Sequence, residues 1–159
     1  MEDKIYAVID TNVIVSALIA TKPDSYPLTV LSHVYLGPIV PVYNDEILAE
    51  YREVLYRDKF HLKSEDIELA LRTITATGLN LARTSVKDEI FPDPKDVVFY
   101  EVKMSKEDAY LVTGNIKHFP RKPFVVTPRE MVAILNSNKP RAEVGKVEKQ
   151  RGDLVRQGV

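Results

Sequence analysis

Four carboxylates stand where an α/β chain can use them. Asp10 closes the apolar run IYAVID, Glu50 lies in the stretch DEILAEYREVL, and Asp93 and Asp96 share the tetrapeptide DPKD. Carboxylates held together repel one another, which raises their pKa values unless a cation neutralises them. Magnesium or manganese needs such a set of oxygen ligands, with waters completing the shell. A hard divalent ion can activate a water for in-line attack on a phosphodiester and stabilise charge on the phosphoryl oxygens. The chain has no cysteine and only three histidines, His33, His61 and His118, so thiolate chemistry and a zinc hydrolase are disfavoured. A later apolar run, YLVTGNIKHFP, adds Thr113, Asn115, Lys117 and His118 as neutral or basic groups beside a strand end.

Each acid also has a purely structural reading. Asp10 and Asp96 can cap helices, Asp93 can hold the turn between Pro92 and Pro94, and Glu50 can lie solvated on an amphipathic helix. Asn115 either serves the metal shell or ends a strand, and His118 is a rim residue or a phosphate contact. Lys95 and Lys117 are candidate phosphate contacts on an otherwise solvated surface. Lys103, on the helix after DPKD, is expected to extend into solvent.

The elements that must position these groups alternate. IYAVI is a strand covered on both faces, and TNVIVSALI is a helix for which Thr11 or Asn12 can satisfy free N–H groups. Pro23, Ser25 and Pro27 interrupt it before LTVLSHVYL carries a second helix to Gly37. IVPVY is the next strand. Asn44 caps a helix over 45–60, Ser64 opens another that ends at Gly78, and LNLAR supplies a short third strand. Residues 84–95 form a loop, and a shorter helix runs from Asp96 to about Lys106. Strands follow at Tyr110–Thr113 and Pro123–Val126, and TPRE is a capping box with proline at the first helical position. This order predicts a mostly parallel sheet with helices on both faces, and ligands gather at the carboxyl ends of such strands. If the strands ending at Asp10 and Thr113 are neighbours, Asp10 and Asn115 face one crevice.

The chain of 159 residues suits one domain, over 1–138, with a basic C-terminal tail or arm over 139–159. That tail holds six Lys or Arg against three Asp or Glu. The formal net charge of −1 removes any global positive field, so nucleic-acid contact must come from local patches. The N-terminal apolar run is too short to span a membrane and carries no basic leader, which makes a cytoplasmic location the expectation.

Taken together, AVIDTNVIVSALI, DEILAEYREVL, DPKDVVFYEV and DAYLVTGNIKHFP with VVTPREMVAIL resemble the PIN-domain family, and within it a group of toxin-like proteins of toxin–antitoxin pairs. The resemblance runs from Tyr6 to about Leu135. It implies a three-layer α/β/α domain with a five-stranded, mostly parallel sheet, and a ribonuclease dependent on magnesium or manganese. Asp10, Glu50 and Asp96 match the principal metal-site acids, and Asp93 and Asn115 are neighbouring ligand candidates. Thr11 or Asn12 would orient Asp10 or a metal-bound water, while Thr113 and His118 would support the acids or a phosphate. Many PIN nucleases carry a fourth acid at the position of Asn115 or of His118. This chain has neither, which counts against two firmly held metals.

RNA is the implied substrate and an antitoxin protein the implied partner. A homodimer is implied as well; Tyr26, Tyr35, Tyr43, Tyr51 or Tyr56 either supply interface area or fill the core and rest half exposed. The competing class is a non-catalytic module that binds nucleic acid or protein with a weakened metal site. A nucleotide-binding regulator is disfavoured, since no glycine-rich loop follows the first strand.

Overall fold

The structure, a computed structural model, describes residues 3–137. The tail read over 139–159 lies outside the described residues. Five strands, β1 (Ile5–Ile9), β2 (Ile39–Tyr43), β3 (Leu79–Asn80), β4 (Tyr110–Val112) and β5 (Val125–Val126), form one sheet in the order β3-β2-β1-β4-β5. Every pairing is parallel, so the sheet is wholly rather than mostly so. The helices α1 (Thr11–Ile19), α2 (Tyr26–Leu36), α3 (Asp45–Leu55), α4 (Ser64–Thr77), α5 (Val97–Lys103) and α6 (Pro128–Ser137) complete the three-layer α/β/α domain. α2 packs on α1 and on α6, and α5 packs against β1, β2 and β4.

The strand order decides where the site is. The chain builds outward from β1 through β2 to β3, then restarts on the other side of β1 with β4 and β5. Between β1 and β4 the order reverses, and a crevice opens there at the carboxyl ends of the strands. Register sets Ile9 opposite Val112, so Asp10 and Thr113 emerge side by side. The Asp10 N–H donates to the Val112 carbonyl at 2.8 Å, which continues the ladder into the site.

Local chemistry explains most element ends. Asn44 accepts the Ile47 N–H at 2.9 Å, and Thr127 and Glu130 exchange the two bonds of a capping box at 2.8 and 3.1 Å. Such caps each contribute about 0.5–2 kcal/mol. Gly37 ends α2 at φ +86°, a conformation that favours glycine. Gly78 ends α4 for another reason: a Cβ there would run into the Ile74 and Pro41 carbonyl oxygens, so only glycine lets α4 turn into β3 beside β2.

Several expectations need correction. Neither Thr11 nor Asn12 caps α1, whose N-cap is Asp10 with no side-chain bond, and the strands read over LNLAR and Pro123–Val126 shorten to Leu79–Asn80 and Val125–Val126. The helix over 45–60 stops at Leu55; Asp58–Phe60 form a separate 3-10 turn, because the chain must reverse into α4 and bring Phe60 and Leu62 back onto the core. Lys103 does not extend into solvent. It is 4% exposed, its Nζ donating to the Glu107 carbonyl at 3.0 Å and lying 4.3 Å from the centre of the Phe124 ring. Tyr43 and Tyr51 belong to the core, since they point inward from β2 and from the apolar stripe of α3, which leaves only Tyr26, Tyr35 and Tyr56 exposed among the five tyrosines. No helix among the described residues is long and apolar enough to cross a membrane.

Candidate active site

Asp10 stands between the ends of β1 and β4 and is 6% exposed. It precedes α1 without capping it through its side chain. Its Oδ2 accepts instead from Thr113 Oγ1 at 2.8 Å and from Asn12 Nδ2 at 3.2 Å. Thr113 is fully buried, and its hydroxyl also accepts the Asn115 N–H at 2.9 Å. Asn12 Oδ1 accepts the Gly114 N–H at 3.1 Å. A two-sided lattice of hydrogen bonds thus ties the acid of β1 to the loop after β4.

Glu50 reaches the crevice from the second turn of α3. Its Oε2 accepts the Thr11 hydroxyl at 2.6 Å, so Thr11 holds Glu50 while Asn12 holds Asp10. Asp96 enters from the 3-10 turn Pro94–Asp96 that leads into α5, and it makes no side-chain cap. That task falls to Asp93, whose Oδ1 accepts the Lys95 N–H at 3.0 Å. Asp93 therefore holds the turn, and its charge is felt by Asp96.

The three acids sense one another. Burial pushes the Asp10 carboxyl up to about 6; the Thr113 hydrogen bond opposes the rise, and the charges of Asp96 and Glu50 add to it. Burial also raises Asp96, with the charge of Asp93 adding to the rise, His118 opposing it and Glu50 contributing a further increment. His118 Nδ1 lies 3.2 Å from Asp96 Oδ2, within ion-pair reach. Beyond this contact the buried oxygen has no hydrogen-bond donor among the described residues. An unpartnered buried carboxylate oxygen costs free energy that a cation or water would recover.

Among the described residues, no three Asp, Glu or His side chains stand close enough to form a finished metal cage. The donors nevertheless fit a hard divalent ion. All are oxygens, their charges raise the pKa values of Asp10 and Asp96, and magnesium in particular takes one or two carboxylates directly while keeping several waters. Zinc or copper would want the nitrogen or sulfur that this crevice lacks apart from His118.

The remaining candidates lie around this centre. Asn115 is exposed, and its side chain makes no bond to the three acids. Lys95 and Lys117 are exposed, with no carboxylate partner among the described residues. Tyr51 is a member of the neighbourhood that periodicity alone could not reveal. Fully buried next to Glu50 in sequence, it donates its hydroxyl to the Ile9 carbonyl, one residue before Asp10. Its one visible signal is a polar-tipped side chain on an otherwise apolar helix stripe.

A family model for the PIN domain matches residues 6–117. No curated protein and no solved structure matches the chain. PIN domains are nuclease-type domains that generally use divalent metal ions. With the all-parallel sheet, the acid at the end of β1 and the family match over most of its length, the chain belongs to the PIN-domain family.

Proposed function

We propose that this PIN domain is a magnesium- or manganese-dependent endoribonuclease that hydrolyses RNA phosphodiester bonds, with Asp10, Glu50 and Asp96 as its acidic site. The observation that supports this reading is that Asp10 feels the charges of Asp96 and Glu50 at the switch point of the sheet, while Asp96 has a buried oxygen that makes no hydrogen bond. Asp10, Glu50 and Asp96 would hold the cation, with Asp93 and Asn115 nearby as donors through water. Such a cation, when bound, supplies a polarised phosphoryl oxygen and a water of lowered pKa.

The chain's own groups do the positioning. Thr113 and Asn12 fix the Asp10 carboxylate from two sides, and Thr11 fixes Glu50. His118, 43% exposed beside Asp96, is in place to donate a proton or a hydrogen bond to a phosphate oxygen. Lys95 and Lys117 offer point charges to the RNA backbone, where such contacts position without selecting bases. We further read the protein as the cytoplasmic toxin of a toxin–antitoxin pair, acting as a homodimer and silenced by an antitoxin that covers this crevice.

The second reading is a non-catalytic module that binds nucleic acid or protein. The absence of a finished three-ligand cage among the described residues and the neutral Asn115 favour it. Cleavage of a structured RNA in manganese, with Asp96→Asn purified identically as the reference, separates the two. Manganese-dependent product from the native chain alone supports the nuclease. Equal product, or none, from both preparations sinks it.

A further inference from the structure

Beside the acids lies a cleft of which the hydrolytic reading uses only Asn12 and Asn115. It has a volume of about 210 Å3 and lies between the starts of α1, α2 and α6, walled by Asn12, Val13, Ser16, Pro27, Asn115 and Pro128. Pockets for whole drug-sized ligands run to roughly 300–1,000 Å3, so this one suits a single ring system. No charged side chain lines it. Its walls combine the apolar faces of two prolines and Val13 with amide and hydroxyl groups, which is the pairing that a flat heterocycle with a polar edge requires.

The cleft and the acidic site share a wall. Asn12 lines the cleft, and its Nδ2 donates to Asp10 Oδ2 at 3.2 Å. Gly114 also lines the cleft, and an added Cβ there would stand 3.3 Å from Asn12 Oδ1. Ser16 is exposed, and neither its hydroxyl nor the Asn115 amide group has a side-chain partner among the described residues. Both are free to face a ligand.

A cation and an aromatic ring stand alongside. Tyr26 and Arg129 are the chain neighbours of the lining residues Pro27 and Pro128, and the Arg129 guanidinium carbon lies 5.9 Å from the centre of the Tyr26 ring. Tyr26 is 44% exposed, and no carboxylate among the described residues pairs with Arg129. An arginine held over an exposed ring presents a flat surface to a base and five donors to a phosphate.

We propose that this cleft is a nucleoside subsite. It takes the base of one single-stranded ribonucleotide next to the scissile phosphate, with Asn12, Ser16 and Asn115 at the base edge and Arg129 on the neighbouring phosphate. The proposal rests on the ribonuclease reading for its substrate and goes beyond it by assigning base-dependent binding to residues outside the acids.

Binding in chelator tests it without requiring cleavage. Two labelled probes are titrated into the full chain by fluorescence anisotropy: a single-stranded RNA of mixed sequence, about a dozen nucleotides long, and a ribose-phosphate oligomer of equal length without bases. The native chain is expected to prefer the base-bearing probe by about tenfold, the loss typical of one base contact. Ser16→Phe fills the cleft from an exposed position and is expected to abolish that preference. Arg129→Glu, on another helix, is expected to weaken both probes. Equal binding of the two probes by the native chain, or an undiminished preference in folded Ser16→Phe, overturns the subsite. If manganese-dependent cleavage fails while the Ser16-dependent preference persists, the nuclease reading falls alone. If cleavage and base preference are both unaltered in Ser16→Phe, the subsite falls alone.

Discussion

Thr113 Oγ1 donates to Asp10 Oδ2 at 2.8 Å, joining residues 103 positions apart at the ends of two adjacent strands. The same hydroxyl accepts the Asn115 N–H, so one buried atom locks the acid and shapes the loop that follows β4. Removing it takes from buried Asp10 Oδ2 the shorter of its two hydrogen bonds and leaves the Asn115 N–H without its acceptor. Thr113→Val should destabilise the fold by about 1–3 kcal/mol, and Thr113→Ser should restore most of the loss. Urea unfolding of the three proteins checks this; equal midpoints for the Val and Ser variants would contradict it.

Asp10 carries a cost that the fold bears for its site. Its carboxyl is pushed from 3.8 up to about 6, chiefly by burial, so between those values the folded chain keeps a proton that the unfolded chain releases. Ionised Asp10 therefore destabilises the fold progressively as pH rises through that window, and the penalty is complete above it. The shift corresponds to at most about 3 kcal/mol. Asp10→Asn in chelator should raise Tm at pH 8, by about 2–4 °C per kcal/mol, and should match the native chain below about pH 4. Added manganese should raise the Tm of the native chain more than that of Asp10→Asn. A variant less stable than native at pH 8 would refute this account.

Arg83 ties together the elements that bring Glu50 and Asp96 to the crevice. Its Nε donates to Glu101 of α5 at 2.8 Å and its NH1 group to Glu46 of α3 at 2.9 Å, while Glu101 Oε2 also accepts the Val86 N–H at 2.8 Å. Glu101 is only 7% exposed, so loss of the guanidinium strands a buried charge. Arg83→Gln should cost about 1–2 kcal/mol after allowance for the half-open setting of Arg83, and amide exchange at Thr84 and Val86 should quicken. Unchanged exchange at both amides would show that the bridge is idle.

Lys103 invites the opposite outcome. Burial lowers the pKa of its amine, against the weaker pull of Asp108 and Glu107, and the described structure gives its Nζ one carbonyl and one aromatic face. A buried charge with so little compensation contributes little net stability. Lys103→Met, of similar length, should leave stability within about 1 kcal/mol of native or raise it. A loss of several kcal/mol in chemical unfolding would mean that the amine matters more than its contacts indicate.

Much of this architecture is local, and what is local can be read along the chain. The apolar run ending in Asp10, the Asn44 cap and the Thr127–Glu130 box depend on residues within one helical turn, and all three hold in the structure. The PIN resemblance rested on motif order, and the family match over 6–117 agrees with it. The short 3-10 turn after α3 was not visible, because helix length there is set by where α4 must start rather than by the propensities of Asp58 and Lys59.

By itself the sequence determined which acids are available, the alternation of strands and helices, and the family. Tertiary structure alone decided the order β3-β2-β1-β4-β5, and so the meeting of Asp10 with Thr113. It also decided that Thr11 serves Glu50 while Asn12 serves Asp10, that His118 lies against Asp96, and that Lys103, Tyr43 and Tyr51 are interior. The division has one physical cause. Caps and periodicity are set by neighbours three or four residues away, whereas strand order, burial and the fields that shift a carboxyl depend on groups that only folding brings together.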